Sequence, residues 1–314
     1  MEETICILCN SNRASYFHHE NGYDLVKCNN CGLVFVSPKP SKDAIISVYN
    51  TESGQTFHHL AEYAEKFEKH LEAKKRYNII RRYLEGVKGN KDILEIGCGG
   101  GYFPHYLKLC GYMATGLEVS EDLVAFAVNN LGVNVRSGEV SNIASANDRY
   151  DAVVLFEVLS HMYNPLDDMK VINTVLKDGG LLFIETGNGG ELKPHQIYKW
   201  GAPEHLYHFS EHSLRRLLDM AGFTVEKIFR FNVEWQIRLL KLSSMIKRAG
   251  NTASTESKLI SRATRQKVYP LRAFAKKLWS TILLYSRYNF GIMPHNNAKR
   301  FCTLIIIAKK RCNI

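Results

Sequence analysis

The chain has 314 residues, of which 45% are apolar and 23% are charged. This composition is typical of a globular protein with one large domain or two smaller ones, and it excludes a disordered chain, a collagen-like repeat and a small disulfide scaffold. No apolar run approaches the ~20 residues that span a bilayer. The N-terminus lacks the basic and apolar regions of a secretory signal, so we expect a cytoplasmic protein.

The net charge of +10 is unevenly distributed along the chain. Residues 1–230 carry 24 Lys/Arg and 29 Asp/Glu, whereas residues 231–314 carry 17 and 2. The basic character therefore belongs to the C-terminal quarter, and any anionic partner is expected to bind there.

Two Cys-x-x-Cys pairs stand near the N-terminus, Cys6 with Cys9 and Cys28 with Cys31. Their C-x2-C-x18-C-x2-C spacing is typical of a tetrahedral four-cysteine zinc site. In a reducing compartment, paired cysteines more often bind metal than form disulfides. We therefore predict a zinc-ribbon module over residues 1–42, with a structural zinc because four thiolates leave no open coordination position.

A helical linker or lid is predicted over residues 43–90, because apolar residues recur at helical spacing over 57–86. From residue 92 the pattern changes to short apolar runs alternating with amphipathic stretches, which indicates a doubly wound α/β sheet. The predicted strands are 92–96, 112–117, 133–136, 151–156, 181–186, 223–230 and 302–308, and the predicted helices are 102–110, 121–131, 166–177 and 211–221.

More than 70 residues separate the last two strands, far beyond an ordinary connection of about 2–6 residues. Residues 231–298 are therefore predicted to be a basic helical insertion, with the α/β domain formed by 91–230 and 299–314. Basic amphipathic helices can bind an anionic membrane surface, a phosphate-bearing substrate or RNA, or can pack on the catalytic domain. These alternatives stay open, including a peripheral association with the membrane.

A glycine-rich turn follows the first strand of the α/β domain, in the sequence Glu95-Ile96-Gly97-Cys98-Gly99-Gly100-Gly101. Tyr102 stands where a dinucleotide fingerprint needs glycine, and the chain has no P-loop motif. A carboxylate before the glycines would repel a pyrophosphate, but it suits a ligand with a cationic amino-acid portion. The turn therefore favours S-adenosylmethionine (SAM).

Two further carboxylates follow the next two strands. Glu118 lies about 20 positions after the glycine turn, where an acidic residue can accept hydrogen bonds from ribose hydroxyls. Glu139 follows the third strand and is placed to accept from an adenine amino group. Either residue alone could equally be a solvent-facing loop acid.

Four segments together resemble the successive motifs of class I SAM-dependent methyltransferases: EIGCGGGYF, GLEVS, YDAVVLFEVLSHM and LKDGGLLFIET. The later PEHLYHFS is similar to the ubiquinone-methylase-like subset, and the four-cysteine segment is similar to the zinc-binding domain of sugar C-methyltransferases. The resemblance implies a seven-stranded Rossmann-like sheet closed by an antiparallel last strand. It also implies a SAM site at Glu95, Gly97, Cys98, Gly99, Gly101, Glu118, Val119, Glu139, Phe156 and Glu157.

Methyl transfer to a hydroxyl or an acidic carbon requires a general base. His161 at the end of the fourth strand, and His205 and His208 after the fifth, are the candidate bases. Each could instead be a packing or capping histidine.

We expect a small-molecule acceptor, a sugar nucleotide or a glycan-type or lipid-linked intermediate. The first alternative is an rRNA or tRNA methyltransferase, which is disfavoured because residues 1–40 carry only three Lys/Arg against four Asp/Glu. The second alternative is a non-catalytic scaffold with the SAM fold. The sequence does not determine the oligomeric state.

Overall fold

The structure is a computed structural model that describes residues 5–49, 67–86, 91–143, 148–196, 199–232 and 302–311. The first part of the predicted helix, 57–66, lies outside these ranges, as does the predicted insertion beyond residue 232. No described helix combines the length and apolar character that a membrane crossing requires.

Seven strands form the central sheet in the spatial order β10-β11-β8-β7-β4-β5-β6. Strands β4 to β8 run parallel, whereas β11 pairs antiparallel with both β8 and β10. This confirms the predicted doubly wound sheet with an antiparallel last strand. The strands are β4 (Asp92–Ile96), β5 (Met113–Glu118), β6 (Asn134–Ser137), β7 (Tyr150–Phe156), β8 (Leu176–Gly187), β10 (Phe223–Asn232) and β11 (Cys302–Lys310).

The central strands are buried because helices cover both faces of a parallel sheet. Every residue of β7 is buried, which explains its continuous apolar run rather than an alternating pattern. The longer described helices are α2 (Phe67–Glu85), α3 (Tyr102–Leu109), α4 (Glu121–Leu131), α6 (Pro165–Val175) and α7 (Glu211–Met220). Two shorter ones are α1 (Lys42–Tyr49) and α5 (Val140–Ile143).

A second, four-stranded antiparallel sheet contains the N-terminal residues, in the order β1-β2-β3-β9. The strands are β1 (Ala14–Glu20), β2 (Tyr23–Cys28), β3 (Val34–Val36) and β9 (Tyr207–His208). Sequence analysis missed β9, because a two-residue strand has no measurable periodicity. It also missed β1, whose sequence ASYFHHE lacks apolar alternation.

Strand β9 belongs to the loop after β8, so the larger domain contributes a strand to the N-terminal sheet. Val34 pairs with His208, and Phe35 pairs with Tyr207. One hydrophobic cluster also contains residues of both regions, including Leu25 and Leu33 with Leu159 and Leu206. The N-terminal region therefore packs directly beside the carboxyl ends of β7 and β8.

Candidate functional site

The four cysteines of the N-terminal region converge, with their sulfur atoms all within 4.8 Å of one another. Cys6 Sγ lies 3.5 Å from Cys31 Sγ, and Cys9 Sγ lies 3.5 Å from Cys28 Sγ. Tetrahedral zinc with Zn–S bonds of about 2.3 Å separates its sulfurs by about 3.8 Å. The cluster therefore has the ligand number, type and spacing that a four-thiolate metal site requires.

The glycine turn connects β4 to α3 through left-handed backbone conformations at Gly97, Gly99 and Gly101 (φ 65°, 53° and 78°). A Cβ on Gly97 would lie 2.5 Å from Val158 Cγ2, and a Cβ on Gly101 would lie 2.7 Å from Ala127 Cβ. A Cβ on Gly99 would meet nothing within 4 Å. The outer two glycines therefore pack against the protein, while the middle one borders the open space in which a ligand fits.

Glu95 is buried at the end of β4, and its Oε2 has no hydrogen-bond partner among the described residues. Burial raises the pKa of Glu95 well above its usual range, the nearby Glu118 raises it further, and Arg76 opposes the rise. A buried carboxyl oxygen without a partner suits a cationic ligand, because a positive charge would restore its ionised form. The cationic part of SAM meets this requirement.

Glu118, at the end of β5, accepts hydrogen bonds from the glycine turn and from its own loop. Its Oε2 accepts from Gly99 N–H at 2.8 Å, and its Oε1 accepts from Val119 N–H at 2.9 Å and Ser120 N–H at 3.1 Å. A carboxylate has about four acceptor positions, so it can also accept from a ligand hydroxyl. The adjacent Val119 side chain is largely exposed and available to cover a ligand.

The other residues that the resemblance assigned to the SAM site differ in their surroundings. Cys98 packs against Gly116, where an added Cβ would lie 2.5 Å from its sulfur, so Cys98 occupies a packing position. Glu139 is exposed at the rim and forms a 2.6 Å ion pair with Lys42. Phe156 contacts Phe103 edge-to-face with ring centroids 4.8 Å apart.

Glu157 follows β7 in a left-handed conformation (φ 60°), and its side chain is exposed. Its backbone N–H donates to the Glu185 carbonyl at 2.9 Å, which ties the end of β7 to β8.

Arg76 of α2 is a site residue that sequence analysis missed. Its Nε lies 2.7 Å from Oε2 of the fully buried Glu185, and its guanidinium lies 4.6 Å from the centre of the Phe156 ring. Glu72 contacts Arg76 at 3.2 Å from one helical turn away. Two features of the sequence could have indicated Arg76. One is its spacing of four residues from Glu72, and the other is the presence of a glutamate, Glu185, inside an apolar strand.

The three candidate histidines lie together between the N-terminal sheet and the end of β7. The ring centroids of His161 and His205 are 4.4 Å apart, and those of His205 and His208 are 5.9 Å apart. His161 lies in the short 3-10 helix Leu159–His161, next to Val158, which contacts Gly97 of the glycine turn. The short segment that begins at Val158 and ends at His161 therefore packs against the glycine turn.

Burial keeps these histidines uncharged at neutral pH. It lowers the pKa of His161 and of His208 to about 3, with neighbouring histidines lowering both further, and it also lowers the pKa of His205. His161 Nδ1 lies 3.0 Å from the Glu204 carbonyl, which can only accept, so Nδ1 carries the proton. The acceptor nitrogen of His161 is therefore Nε2.

His208 lies deeper, against Trp200, with ring centroids 4.8 Å apart. Its Nε2 is buried and has no hydrogen-bond partner within the described ranges. A buried nitrogen without a hydrogen-bond partner lowers the stability of the fold unless a water molecule or a ligand binds it.

Known proteins resemble this chain in sequence and in fold. Residues 43–228 match the methyltransferase domain family. The ubiquinone biosynthesis O-methyltransferase of Coxiella burnetii is 29% identical over 167 residues, covering 45% of this chain and 71% of the relative. A probable S-adenosylmethionine-dependent methyltransferase of Mycolicibacterium smegmatis is 27% identical over 153 residues, covering 48% and 59% respectively.

Among solved structures, the fold is similar to phosphoethanolamine N-methyltransferase 2 of Haemonchus contortus in complex with S-adenosyl-L-methionine. The TM-score is 0.51 at 14% identity, covering 89% of this chain and 62% of that one. This likeness shows the fold, and the family match over more than half of its length shows that the chain belongs to the SAM-dependent methyltransferases. Its cofactor is SAM, and the residues suited to hold it are Glu95, the glycine turn and Glu118.

Proposed function

We propose that this enzyme transfers the SAM methyl group to a hydroxyl or an acidic carbon of a small molecule, a sugar nucleotide or a glycan-type intermediate, with His161 as the general base and His205 beside it. SAM supplies an activated methyl group, so the protein has to align the acceptor and remove its proton. The observation that carries the proposal is the His161–His205 pair, whose His161 ends the short segment that packs against the glycine turn through Val158.

The chemistry balances with a neutral histidine. The acceptor proton moves to His161 Nε2, and the electron pair left on the acceptor forms the new bond to the methyl carbon. SAM, when bound at Glu95, the glycine turn and Glu118, would supply the activated methyl group, and its sulfur would keep the electrons of the broken carbon–sulfur bond as S-adenosylhomocysteine. At pH 7 burial leaves His161 neutral with its Nε2 lone pair available, but it also makes the imidazole a weaker base than a free histidine, so the proton is transferred only as the acceptor attacks the methyl carbon.

The hydroxyl-bearing acceptor is supported by the names of the relatives, several of which are ubiquinone biosynthesis O-methyltransferases. An RNA acceptor is disfavoured because lysines of the N-terminal region are already engaged with the larger domain. Lys27 Nζ donates to the Gly190 carbonyl at 2.8 Å, and Lys39 Nζ donates to the Tyr163 carbonyl at 2.9 Å.

Incubation with methyl-labelled SAM and a panel of nucleoside diphosphate sugars and simple phenols tests the acceptor class. We expect label to enter a nucleotide sugar. Transfer to phenols alone would show that the acceptor is aromatic and not a sugar. Copurifying RNA that accepts label in a salt-sensitive manner would favour the RNA alternative.

We also propose that the four cysteines bind one structural zinc ion. Elemental analysis should find one zinc per chain, and Cys31→Ser should lose it and lower the melting temperature. Cys110→Ser is the matched control, because Cys110 is exposed and outside the cluster. A metal-free wild-type chain with an unchanged melting temperature in chelator would contradict the proposal.

A further inference from the structure

The loop that carries His205 is held by a carboxylate from the N-terminal sheet. Glu20, the last residue of β1, accepts hydrogen bonds from three successive backbone N–H groups. Trp200 N–H donates to Oε1 at 3.0 Å, and Gly201 and Ala202 N–H donate to Oε2 at 2.5 Å and 3.0 Å. These bonds place one negative charge on a run of backbone donors, a charge-assisted arrangement that is stronger than neutral hydrogen bonds.

Asn21, the residue after Glu20, also binds this loop, through a carbonyl group. Asn21 Nδ2 donates to the Ala202 carbonyl at 2.7 Å, so the β1–β2 turn binds both donors and an acceptor of the same loop. Gly201 adopts a left-handed conformation there (φ 82°). Trp200 and Ala202 are buried, so their backbone groups require hydrogen-bond partners, and Glu20 and Asn21 provide them.

The held segment leads directly to the histidines. His205 N–H donates to the Gly201 carbonyl at 2.8 Å, and a Cβ on Gly201 would lie 3.1 Å from His205 Cγ. The Glu204 carbonyl accepts from His161 Nδ1. The backbone that orients both rings therefore begins at the residues that Glu20 binds.

We infer that Glu20 is a positioning residue for methyl transfer, acting through the 200–205 loop on His161 and His205. The inference rests on the proposed function of that histidine pair. The β1–β2 hairpin extends from the four-cysteine cluster, where β2 ends at Cys28, to the turn at Glu20. The N-terminal region is thereby a part of the acceptor site and not a separate binding module.

The test compares Glu20→Ala, Glu20→Asp and Asp24→Asn in the full chain. We expect Glu20→Ala to lower kcat with the accepting nucleotide sugar at least tenfold while the Kd for SAM stays within twofold. Glu20→Asp keeps the charge and should recover part of kcat. Asp24, an exposed carboxylate on the same hairpin that pairs with His19, is the matched control and should leave kcat unchanged.

Amide hydrogen exchange over residues 199–206 provides a readout that needs no turnover. Exchange should accelerate at least tenfold in Glu20→Ala, and the melting temperature and zinc content show whether the rest of the chain stays folded. Unchanged exchange or unchanged kcat in Glu20→Ala would overturn the inference. A loss of SAM affinity as large as the loss of kcat would also overturn it. If the wild-type chain methylates no acceptor in the panel, the proposed function fails, and exchange alone decides whether Glu20 positions the loop.

Discussion

The cofactor side and the acceptor side of the site are both buried, yet burial acts on them in different ways. On the cofactor side, the groups are carboxyls at strand ends, Glu95 and Glu118, with Glu185 nearby paired to Arg76. On the acceptor side, they are the three histidines. Burial disfavours the charged form of Glu95 and of the histidines, so it raises the pKa of Glu95 and lowers the pKa of the histidines.

This difference indicates what each side is suited to bind. A carboxyl with a raised pKa gains most from a cationic ligand, because that charge stabilises its ionised form. A histidine with a lowered pKa stays neutral, which suits an uncharged acceptor, because burial disfavours the imidazolium form. Under the proposed function, the carboxyl side would bind the positively charged methyl donor and the histidine side a neutral acceptor, and variants of each side test that assignment.

The largest effect is expected from His161→Ala, which removes the proposed base from the acceptor side. General bases contribute roughly 10²–10⁴-fold to rates, so kcat should fall by that factor while SAM binding is retained. Turnover with labelled SAM and calorimetry with SAM measure the two quantities. His195→Ala, at an exposed position, is the control. A kcat within threefold of wild type would exclude His161 as the base.

On the cofactor side, Arg76→Ala should destabilise the fold by about 3–5 kcal/mol, because it leaves the fully buried Glu185 without its cationic partner. Urea unfolding measures this change. Lys74→Ala, at an exposed position on the same helix, should change stability by less than about 0.5 kcal/mol. Equal stability of the two variants would show that the ion pair contributes nothing.

Glu118→Ala should weaken SAM binding by roughly 10–100-fold, since hydrogen bonds to a charged group are worth about 1.5–3 kcal/mol. It also removes the acceptor for Gly99 N–H in the glycine turn. Calorimetry with SAM gives the Kd, and Glu121→Ala, an exposed acid at the start of α4, is the control. A wild-type Kd in Glu118→Ala would place the cofactor elsewhere.

The histidines also predict an acid-sensitive stability. An unfolded histidine titrates near pH 6.5, whereas His208 does so at about 3 in the fold, so between these values the unfolded chain binds more protons. Stability should therefore fall as the pH drops from 6.5 toward 3. The melting temperature of His208→Gln should depend less on pH than that of wild type, by at least ~2 °C between pH 7 and 5. Parallel curves would contradict the lowered pKa.

Asp168 has the opposite effect on how stability changes with pH. Wild type must therefore be compared with His208→Gln to separate the two effects. Burial raises the pKa of Asp168 to about 6, so between about pH 4 and 6 the folded chain binds more protons there and gains stability as the pH falls. The wild-type curve alone mixes both effects. Only the difference from His208→Gln isolates the histidine.

Sequence reasoning was most successful where the signal is local. The glycine turn, the apolar strands and the cysteine spacing each depend on residues close together in the chain, and the predicted strands agree with the structure to within a few residues at most ends. The 176–180 extension of β8 is the exception, because Lys177, Asp178 and two glycines mask its strand character.

The missed residues act across long separations. Arg76 meets Glu185 across 109 positions, and Glu20 meets Gly201 across 181. Glu20 does not differ in sequence from a solvated acid, and Glu185 differs only by its place in an apolar strand. The group that each carboxylate binds, a run of backbone N–H groups or a guanidinium, is brought to it by the fold. Strand β9 was missed for the same reason, because within the described ranges it forms as a strand by pairing with β3, which is about 170 residues away in the chain.

The smallest effect is expected at Glu139, which the sequence placed beside the adenine. Its side chain is about half exposed and pairs with Lys42 at 2.6 Å, and exposed ion pairs are worth about 0–1 kcal/mol. Glu139→Gln should therefore change the melting temperature by less than ~4 °C and the SAM Kd by less than about threefold. Lys42→Met breaks the same pair while leaving the carboxylate in place. A Kd that rises tenfold in Glu139→Gln but not in Lys42→Met would show direct contact with the cofactor, because only the first variant removes the acceptor oxygen's charge. Equal, small changes of the SAM Kd in both variants would show that Glu139 does not bind the cofactor. Glu95 and Glu118, at the strand ends, would then be the carboxyl groups that bind it.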